Sequence, residues 1–532
     1  MTALQQRMLE LVLEVDAICK KHRIVYYLSG GSVLGAVRHK GFIPWDDDID
    51  IMMTREEFAK FQQVCSTELA ADRELITQIN TPCHTKVTIK YMNKSTSQFF
   101  RSQVLDTTGC GISLDIFVLD PLPRDPVRKE QHIAEYVVYN ELLTPFFMVN
   151  EKLYQSVDLY RHYHRKAQKI GKEKVLAELY HKLFEVEPEE SDLYLYRWGQ
   201  QHLIYDRSLF GTPRYMDFEG YSLPMPEKTI DFLRATYGDT WCYLPPNQQR
   251  ETHVSFLSTT VPYINWLEDI RPFQDREKML ADFVERKRLN VEKAVPAHDL
   301  KVAGYRQTAL AIELELRTPA YSADALSSLS DPELLTRMGQ YLSAQLNSGF
   351  LKNDVYIDLP DPVLALLLSA LMRGGDFVKA AKLLTIRQKQ VRELSAPLAQ
   401  CLAMLESIRK YVRYFEDRGL EPEKVAPLSE IAPGLLAVCR ENPAYLNLQR
   451  CRLQLYLGMD PLPSKEALEG ISEARSFFPG DPEIAFWAGC IYEKIGLSQE
   501  AVPLFVQASA TSNGLILDQL KNKQTERNED LD

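Results

Sequence analysis

Apolar residues recur at three- and four-residue intervals from the start of the chain. Leu4, Met8, Leu11, Val12, Val15, Ile18 and Cys19 fall along one side of a helix, which predicts an amphipathic helix over residues 3–22. Ile24 to Leu28 is a short apolar and aromatic run and reads as a strand, ended by Ser29-Gly30-Gly31-Ser32. Val33 to His39 reads as a short helix closed by Gly41 and Pro44. Asp48-Ile49-Asp50-Ile51-Met52 alternates polar with apolar, the pattern of a half-buried strand. Thr54 and Glu57 stand at capping-box spacing, so a helix is expected from there towards Leu69. Val87–Tyr91 and Gly111–Leu119 read as further strands. This mixture predicts an α/β (α+β) domain at the N-terminus.

From about Asp125 the pattern becomes mainly helical. Tyr and His are dense between Tyr136 and Tyr205, and a Pro-rich stretch with Tyr221, Pro224 and Pro226 leads into a helix over 228–237. Tyr237-Gly238-Asp239 reads as a turn, with Gly238 as a left-handed helix cap. Residues 1–272 are assigned to the N-terminal domain, with helical extensions, and 273–298 to a charged helical connector. Residues 299–515 read as all-α. Met372–Leu384 and Glu493–Phe505 are self-similar, each with Gly at a turn and Ala where two helices approach. Asp481 to Ala508 resembles a tetratricopeptide unit through Trp487, Gly489, Tyr492, Gly496 and Ala501, without a strict repeat period. The polar tail, 516–532, is expected to be disordered.

Composition narrows the function classes. The chain has 532 residues, and its formal charge of -11 argues against a broad grip on nucleic acid. The nine cysteines are scattered without CxxC spacing, so neither a zinc site nor a disulfide framework is expected, and a reducing compartment is favoured. Acidic residues interrupt the first apolar run, which excludes a signal peptide there, and no stretch reaches the roughly 20 apolar residues of a transmembrane segment. A cytoplasmic protein is expected, with room for peripheral docking on the cytoplasmic membrane face.

The chemistry concentrates between Gly30 and Asp50. Gly30, Gly31 and Ser32 lie between a strand and a helix, where backbone amides and the helix dipole suit a phosphate; such a turn is also often only a turn. On an extended strand, residues two apart share a face, so Asp46, Asp48 and Asp50 project together and Asp47 points away. Clustered carboxylates repel unless a cation neutralises them, and a hard cation such as Mg2+ or Mn2+ does so alongside substrate phosphates. A solvated acidic loop is the bland alternative, opposed by Trp45, Ile43, Ile49 and Ile51. Asp115, inside the apolar run Ile112–Val118, is a further candidate ligand; a structural acid paired with an Arg is its alternative. Arg38, His39 and Lys40 offer positive charge to phosphates or to solvent. Arg250 and His253 are candidates for a phosphate contact and a base, or for packing and capping.

The glycine-glycine-serine turn, the Asp-apolar-Asp strand and a later strand Asp resemble the nucleotidyltransferase superfamily. The longer string GGSVLGAVRHKGFIPWDDDIDI, with LDIFVLDP and YGDTWCYLPP downstream, resembles the LicD family, related to the fukutin proteins, over roughly residues 20–255. The resemblance implies a nucleotidyltransferase-like catalytic fold and transfer of a phospho-substituent, such as phosphocholine or ribitol phosphate, from a CDP-linked donor to a glycan hydroxyl. It places Asp48 and Asp50 on the metal-binding pair, Asp115 on the third acid, Asp46 on another acid of the motif, and Gly30, Gly31 and Ser32 on the phosphate-contacting turn. The acceptor is then a cell-surface glycan, a glycolipid or a precursor.

Two other functions compete. A nucleotidyltransferase that makes an activated head group would use the same acids. A repeat scaffold with an inactive enzyme domain would act through the helical half, which is expected to bind a protein partner, present the acceptor or self-associate. The aromatic stretch between Tyr136 and Tyr221 is expected to build the head-group pocket, where cation–π contact would favour choline.

Overall fold

The computed structural model describes residues 1–77, 89–100, 109–143, 157–184, 191–198, 201–246, 250, 252, 254–270, 300, 303–304, 307, 311, 314, 318–339, 357 and 359–529. His253, the connector 273–298 and the first residues of the expected strand at 87–91 lie outside them. The chain divides into two compact units, one of Met1–Trp241 with Pro245–Pro296, the other of Cys242–Leu244 with Ala297–Asp532. The first is α/β and the second consists of helices.

Helix α1 (Ala3–His22) has the predicted bounds. Thr2 caps it in a reciprocal box with Gln5, and Arg23 closes it in the left-handed region at φ 56°. Its stripe of Leu4, Met8, Leu11, Val12, Val15 and Cys19 is buried. There follow β1 (Tyr27–Leu28), α2 (Gly30–His39), β2 (Asp50–Thr54), α3 (Arg55–Glu68), β3 (Arg73–Ile76), β4 (Ile89–Asn93), β5 (Ser97–Phe100) and β6 (Ile112–Pro121). Half of the expected capping box at α3 forms: Thr54 accepts from the Glu57 amide at 3.4 Å, while the Glu57 carboxylate accepts from the Val25 amide at 2.7 Å.

The main sheet runs β1-β2-β6-β4-β3, with β2 parallel to β6 and the other pairs antiparallel. Strand β6 is its centre. Ile112, Leu114, Ile116, Phe117, Val118 and Leu119 are buried on its two faces, as a central strand requires. The end of β6 also pairs with a hairpin, β7 (Leu193–Trp198) and β8 (Gln201–Asp206). A second hairpin, β9 (Arg214–Phe218) and β10 (Tyr221–Met225), and the pair formed by β5 with β11 (Val254–Ser258) complete the strands among the described residues.

The expectation of mainly helical structure after Asp125 holds through α4 (Pro126–Leu143), α5 (Val157–Ile170) and α6 (Lys172–Phe184), then gives way to four strands. The aromatic density has a packing cause there. Tyr136, Tyr139, Tyr160 and Tyr163 share a buried cluster with Val175, Leu179 and Leu183, and Tyr194, Tyr196 and Tyr205 lie buried on the β7–β8 hairpin. Helix α7 (Thr229–Tyr237) ends at Gly238 with φ 81° and ψ -176°, a positive-φ but extended residue rather than the expected left-handed cap. Helix α8 (Tyr263–Ile270) follows β11.

In the second unit, helices at Asp361–Arg373 and Phe377–Gln390, and at Pro482–Lys494 and Ser498–Ala508, form the two self-similar hairpins. Gly375 and Gly496 turn them with φ of 91° and 84°. A Cβ on Gly489 would lie 2.8 Å from the Phe505 ring, and Ala501 is fully buried, which gives the small residues their reason. The expected disordered tail is corrected in part: Gly514–Glu529 is a helix, anchored where Ile516 and Leu520 bury against the preceding pair. Its polar residues masked the short apolar repeat. Among the described residues, no helix is long and apolar enough to cross a membrane.

Candidate active site

The site begins where α2 meets β2. The helix starts at Gly30, three residues earlier than the sequence pattern suggests, so Gly30, Gly31 and Ser32 are its first turn rather than a preceding loop. The Ser29 amide donates to the Asp50 carbonyl at 2.9 Å, and the Asp50 amide donates to Ser32 Oγ at 2.9 Å. These bonds fasten the first turn of the helix to the start of the strand. A Cβ on Gly31 would lie 2.8 Å from Asp46 Oδ2, and one on Gly30 would lie 3.5 Å from Asp50 Oδ2. Both carboxylates therefore sit against the positive end of α2, where negative charge is favoured. The glycines leave room for them. Gly31→Ala should displace the Asp46 carboxylate with little loss of fold, because the atom it meets ends a flexible side chain. Misplacement of a positioned group is expected to lower turnover roughly tenfold or more; unchanged turnover, with circular dichroism intact, would remove Asp46 from the site.

Asp115 arrives on the next strand. In the parallel β2–β6 ladder it pairs with Asp50, and in the antiparallel β4–β6 ladder it pairs with Lys90. Asp50, Asp115 and Lys90 thus form one row across three strands, on one face of the sheet. Lys90 is buried; its Nζ donates to Ser113 Oγ at 3.1 Å and stands 3.5 Å from Asp115 Oδ1. Burial and the negative charge of Asp46 and Asp115 push the Asp48 carboxyl well above the usual carboxylate range. Burial, with Asp48, Asp115 and Asp46, does the same to Asp50, against a smaller downward pull from Lys90. The other acid of β6, Asp120, is structural: it is fully buried and accepts from Arg55 Nε at 2.7 Å.

Asp47 does not point away as strand alternation predicts. The strand starts only at Asp50, so residues 46–49 are not pleated and the two-residue period does not apply. Asp47 is buried and accepts from the Val254 amide at 2.8 Å. Oxygens of Asp46, Asp47 and Asp48 lie within 4.8 Å of one another, close enough to share a hard cation. Gln5 holds this segment from α1, its amide donating to the Asp46 carbonyl at 3.0 Å. No sequence motif marks that role, because Gln5 also belongs to an ordinary capping box.

The expected cations divide. Arg38 is buried, with Nε on His39 Nε2 at 3.1 Å and Nη1 on the Trp241 carbonyl at 3.4 Å. Lys40 is exposed and caps α2 at φ 55°. The Arg250 guanidinium lies 4.7 Å over the Trp45 ring, next in sequence to Asp46, while its Nε donates to the Pro245 carbonyl at 2.9 Å. Of the tyrosines in the 136–205 stretch, Tyr196 reaches the site, its hydroxyl 2.8 Å from Ser29 Oγ. Tyr237, read from sequence as part of a turn, points its hydroxyl to within 3.8 Å of where a Gly30 Cβ would be. Burial of that hydroxyl and the charge of Asp50 raise its pKa, so it stays protonated.

Comparison with known proteins falls on this region. The family model described as LicD/FKTN/FKRP, nucleotidyltransferase domain, matches residues 23–150, a span that contains Asp46, Asp48, Asp50, Lys90 and Asp115. A lipopolysaccharide cholinephosphotransferase LicD of Haemophilus influenzae is 28% identical over 247 residues, covering 44% of this chain and 89% of that protein. Uncharacterized proteins of Rickettsia typhi and Rickettsia prowazekii are 42% and 40% identical over 55 residues, 10% of this chain and 18% and 21% of theirs. Among solved structures, a MamA mutant covers 40% of this chain and 97% of its own at 15% identity and a TM-score of 0.18, a likeness that bears on neither fold nor function.

Proposed function

We propose, from the LicD-family domain that residues 23–150 constitute, that the chain is a phosphotransferase that moves a phospho-substituent from a CDP-linked donor to a hydroxyl of a cell-surface glycan or its precursor. Phosphocholine is the favoured group, because the Haemophilus influenzae relative is named a lipopolysaccharide cholinephosphotransferase; a polyol phosphate is the other. The observation that carries the reading is the meeting of Asp46, Asp48 and Asp50 with Asp115 beside the first turn of α2.

That donor set fits a hard divalent cation, Mg2+ or Mn2+. Asp46, Asp47 and Asp48 offer oxygens within 4.8 Å of one another, Asp115 pairs with Asp50 from the next strand, and mutual repulsion raises Asp48 and Asp50 when nothing neutralises them. Asp46, Asp48, Asp50 and Asp115 would hold it. When bound, it would neutralise charge on the diphosphate and polarise the acceptor hydroxyl.

The chain's own residues position the rest. Gln5, Ser29 and Ser32 hold the backbone of the acid segment. Lys90 sits 3.5 Å from Asp115 and holds its carboxylate in place, and Asp115 is the candidate to accept the acceptor's proton. The acceptor oxygen then bonds to the outer phosphorus of the donor, the bond from that phosphorus to the bridging oxygen breaks, and CMP leaves. Arg250, half-buried over the Trp45 ring, and the exposed Lys40 are the candidate cations for a phosphate contact.

Incubation of the full chain with CDP-choline, MgCl2 and a lipopolysaccharide acceptor should release CMP and label the acceptor. CMP release with CDP-ribitol alone would redirect the head group. Pyrophosphate released from CTP and phosphocholine would replace the reading with that of a nucleotidyltransferase.

A further inference from the structure

Two tyrosine hydroxyls reach the acid site, and they differ. Tyr196 bonds to Ser29 Oγ at 2.8 Å. Tyr237 has no hydrogen-bond partner for its hydroxyl among the described residues, although that hydroxyl lies next to Gly30 and Asp50.

The space in front of it is specific. The point a Gly30 Cβ would occupy lies 3.5 Å from Asp50 Oδ2 and 3.8 Å from Tyr237 Oη. Glycine there keeps a gap bounded by a carboxylate, a phenol and the positive end of α2. Tyr237 as a whole residue is 41% exposed, so part of it meets solvent. A phenol hydroxyl can donate a hydrogen bond to an oxygen placed beside it. It is a neutral donor aimed at the place where an anionic group would rest once the carboxylates are neutralised.

We infer that Tyr237 is a substrate-contacting residue whose hydroxyl donates a hydrogen bond to a phosphoryl oxygen of a nucleoside diphosphate group held between Gly30 and Asp50. The inference rests on the phosphotransferase reading for the identity of that group and adds a contact to it.

The test is Tyr237→Phe in the full chain, read three ways: CDP binding in MgCl2 by calorimetry, CMP release from CDP-choline, and the rise in melting temperature with MgCl2 alone. A hydrogen bond to a charged group sets the expected loss at roughly ten- to hundredfold in CDP affinity and in kcat/KM. The Mg2+-induced melting shift should match the wild type, because the carboxylates are untouched. Wild-type CDP affinity in the variant overturns the inference and leaves the phosphotransferase reading standing. Loss of the Mg2+ shift in the variant also overturns it, since the hydroxyl then supports the fold of the acids instead. Weakened CDP binding, with no CMP released by the wild type from any CDP-alcohol, upholds the contact and sinks the transfer reading. A wild type that binds no CDP overturns both.

Discussion

Asp48→Asn is expected to abolish transfer while making the metal-free protein harder to melt. The two effects have one cause. Burial and the charge of Asp46 and Asp115 hold the Asp48 carboxyl well above its ordinary pKa, so its ionised form is disfavoured in the folded chain. A carboxyl with a raised folded pKa binds its proton more tightly folded than unfolded. Its contribution is therefore best below the unfolded value of about 4 and is lost as pH rises towards the raised folded value. Asparagine removes that loss. The variant's first unit should gain stability over the wild type as pH rises above about 4, with the gain levelling off once Asp48 is ionised in the folded wild type.

Adding Mg2+ should reverse the order. At a concentration about 100 times its dissociation constant, a ligand adds about 2.7 kcal/mol to the state that binds it. For a unit of this size, that raises the melting temperature by roughly 5–10 °C. The wild type should show this rise and Asp48→Asn should lose most of it, together with at least about a hundredfold in turnover. Calorimetric melts at pH 5 and pH 8, with and without MgCl2, check both halves. A variant less stable than the wild type without metal would mean that Asp48 is a structural acid with a partner. A variant that keeps full turnover would sink the site assignment.

How far this site could be read from sequence depends on which physical rule governed each residue. Helix α1 was legible to its ends because its apolar stripe runs along its whole length; the Thr2–Gln5 box that starts it is seen only in the fold. Asp115 was legible as an acid in an apolar strand, and the ladder places it opposite Asp50. Asp47 was misread because strand alternation was extended over residues 46–49, which are not strand. The glycines were read as a phosphate turn, whereas in the fold they also make space for Asp46 and Asp50. The hairpins of 193–225 were missed because their tyrosines looked like a ligand-binding surface; several are core. Gln5, Lys90 and Tyr237 come from α1, β4 and α7, and only the tertiary fold brings them to the acids. Lys90 is the clearest case. A lone lysine in the short run Ile89–Asn93 reads as a solvent-facing residue, and its partner lies on a strand more than twenty residues later.

That lysine yields the second large expectation. Lys90→Met keeps the length and apolar stem but removes the cation that stands 3.5 Å from Asp115 and opposes the rise in the Asp50 pKa. Breaking a fully buried ion pair by deleting one partner costs about 3–5 kcal/mol. Asp115 keeps 29% of its side-chain surface, so water recovers part of that loss and a cost of roughly 2 kcal/mol is expected in the metal-free protein. A divalent cation should restore most of it, because Lys90 and the metal neutralise the same carboxylates. The variant should therefore gain more than the wild type from MgCl2, and should bind Mg2+ more tightly while turning over more slowly, since Asp115 has lost the neighbour that helps orient it. Urea unfolding with and without MgCl2 measures the first effect, and a metal titration paired with CMP release measures the second. Equal stabilisation of both proteins by Mg2+ would place Lys90 outside the electrostatics of the site, as a lysine that only packs its stem against β6 and bonds to Ser113.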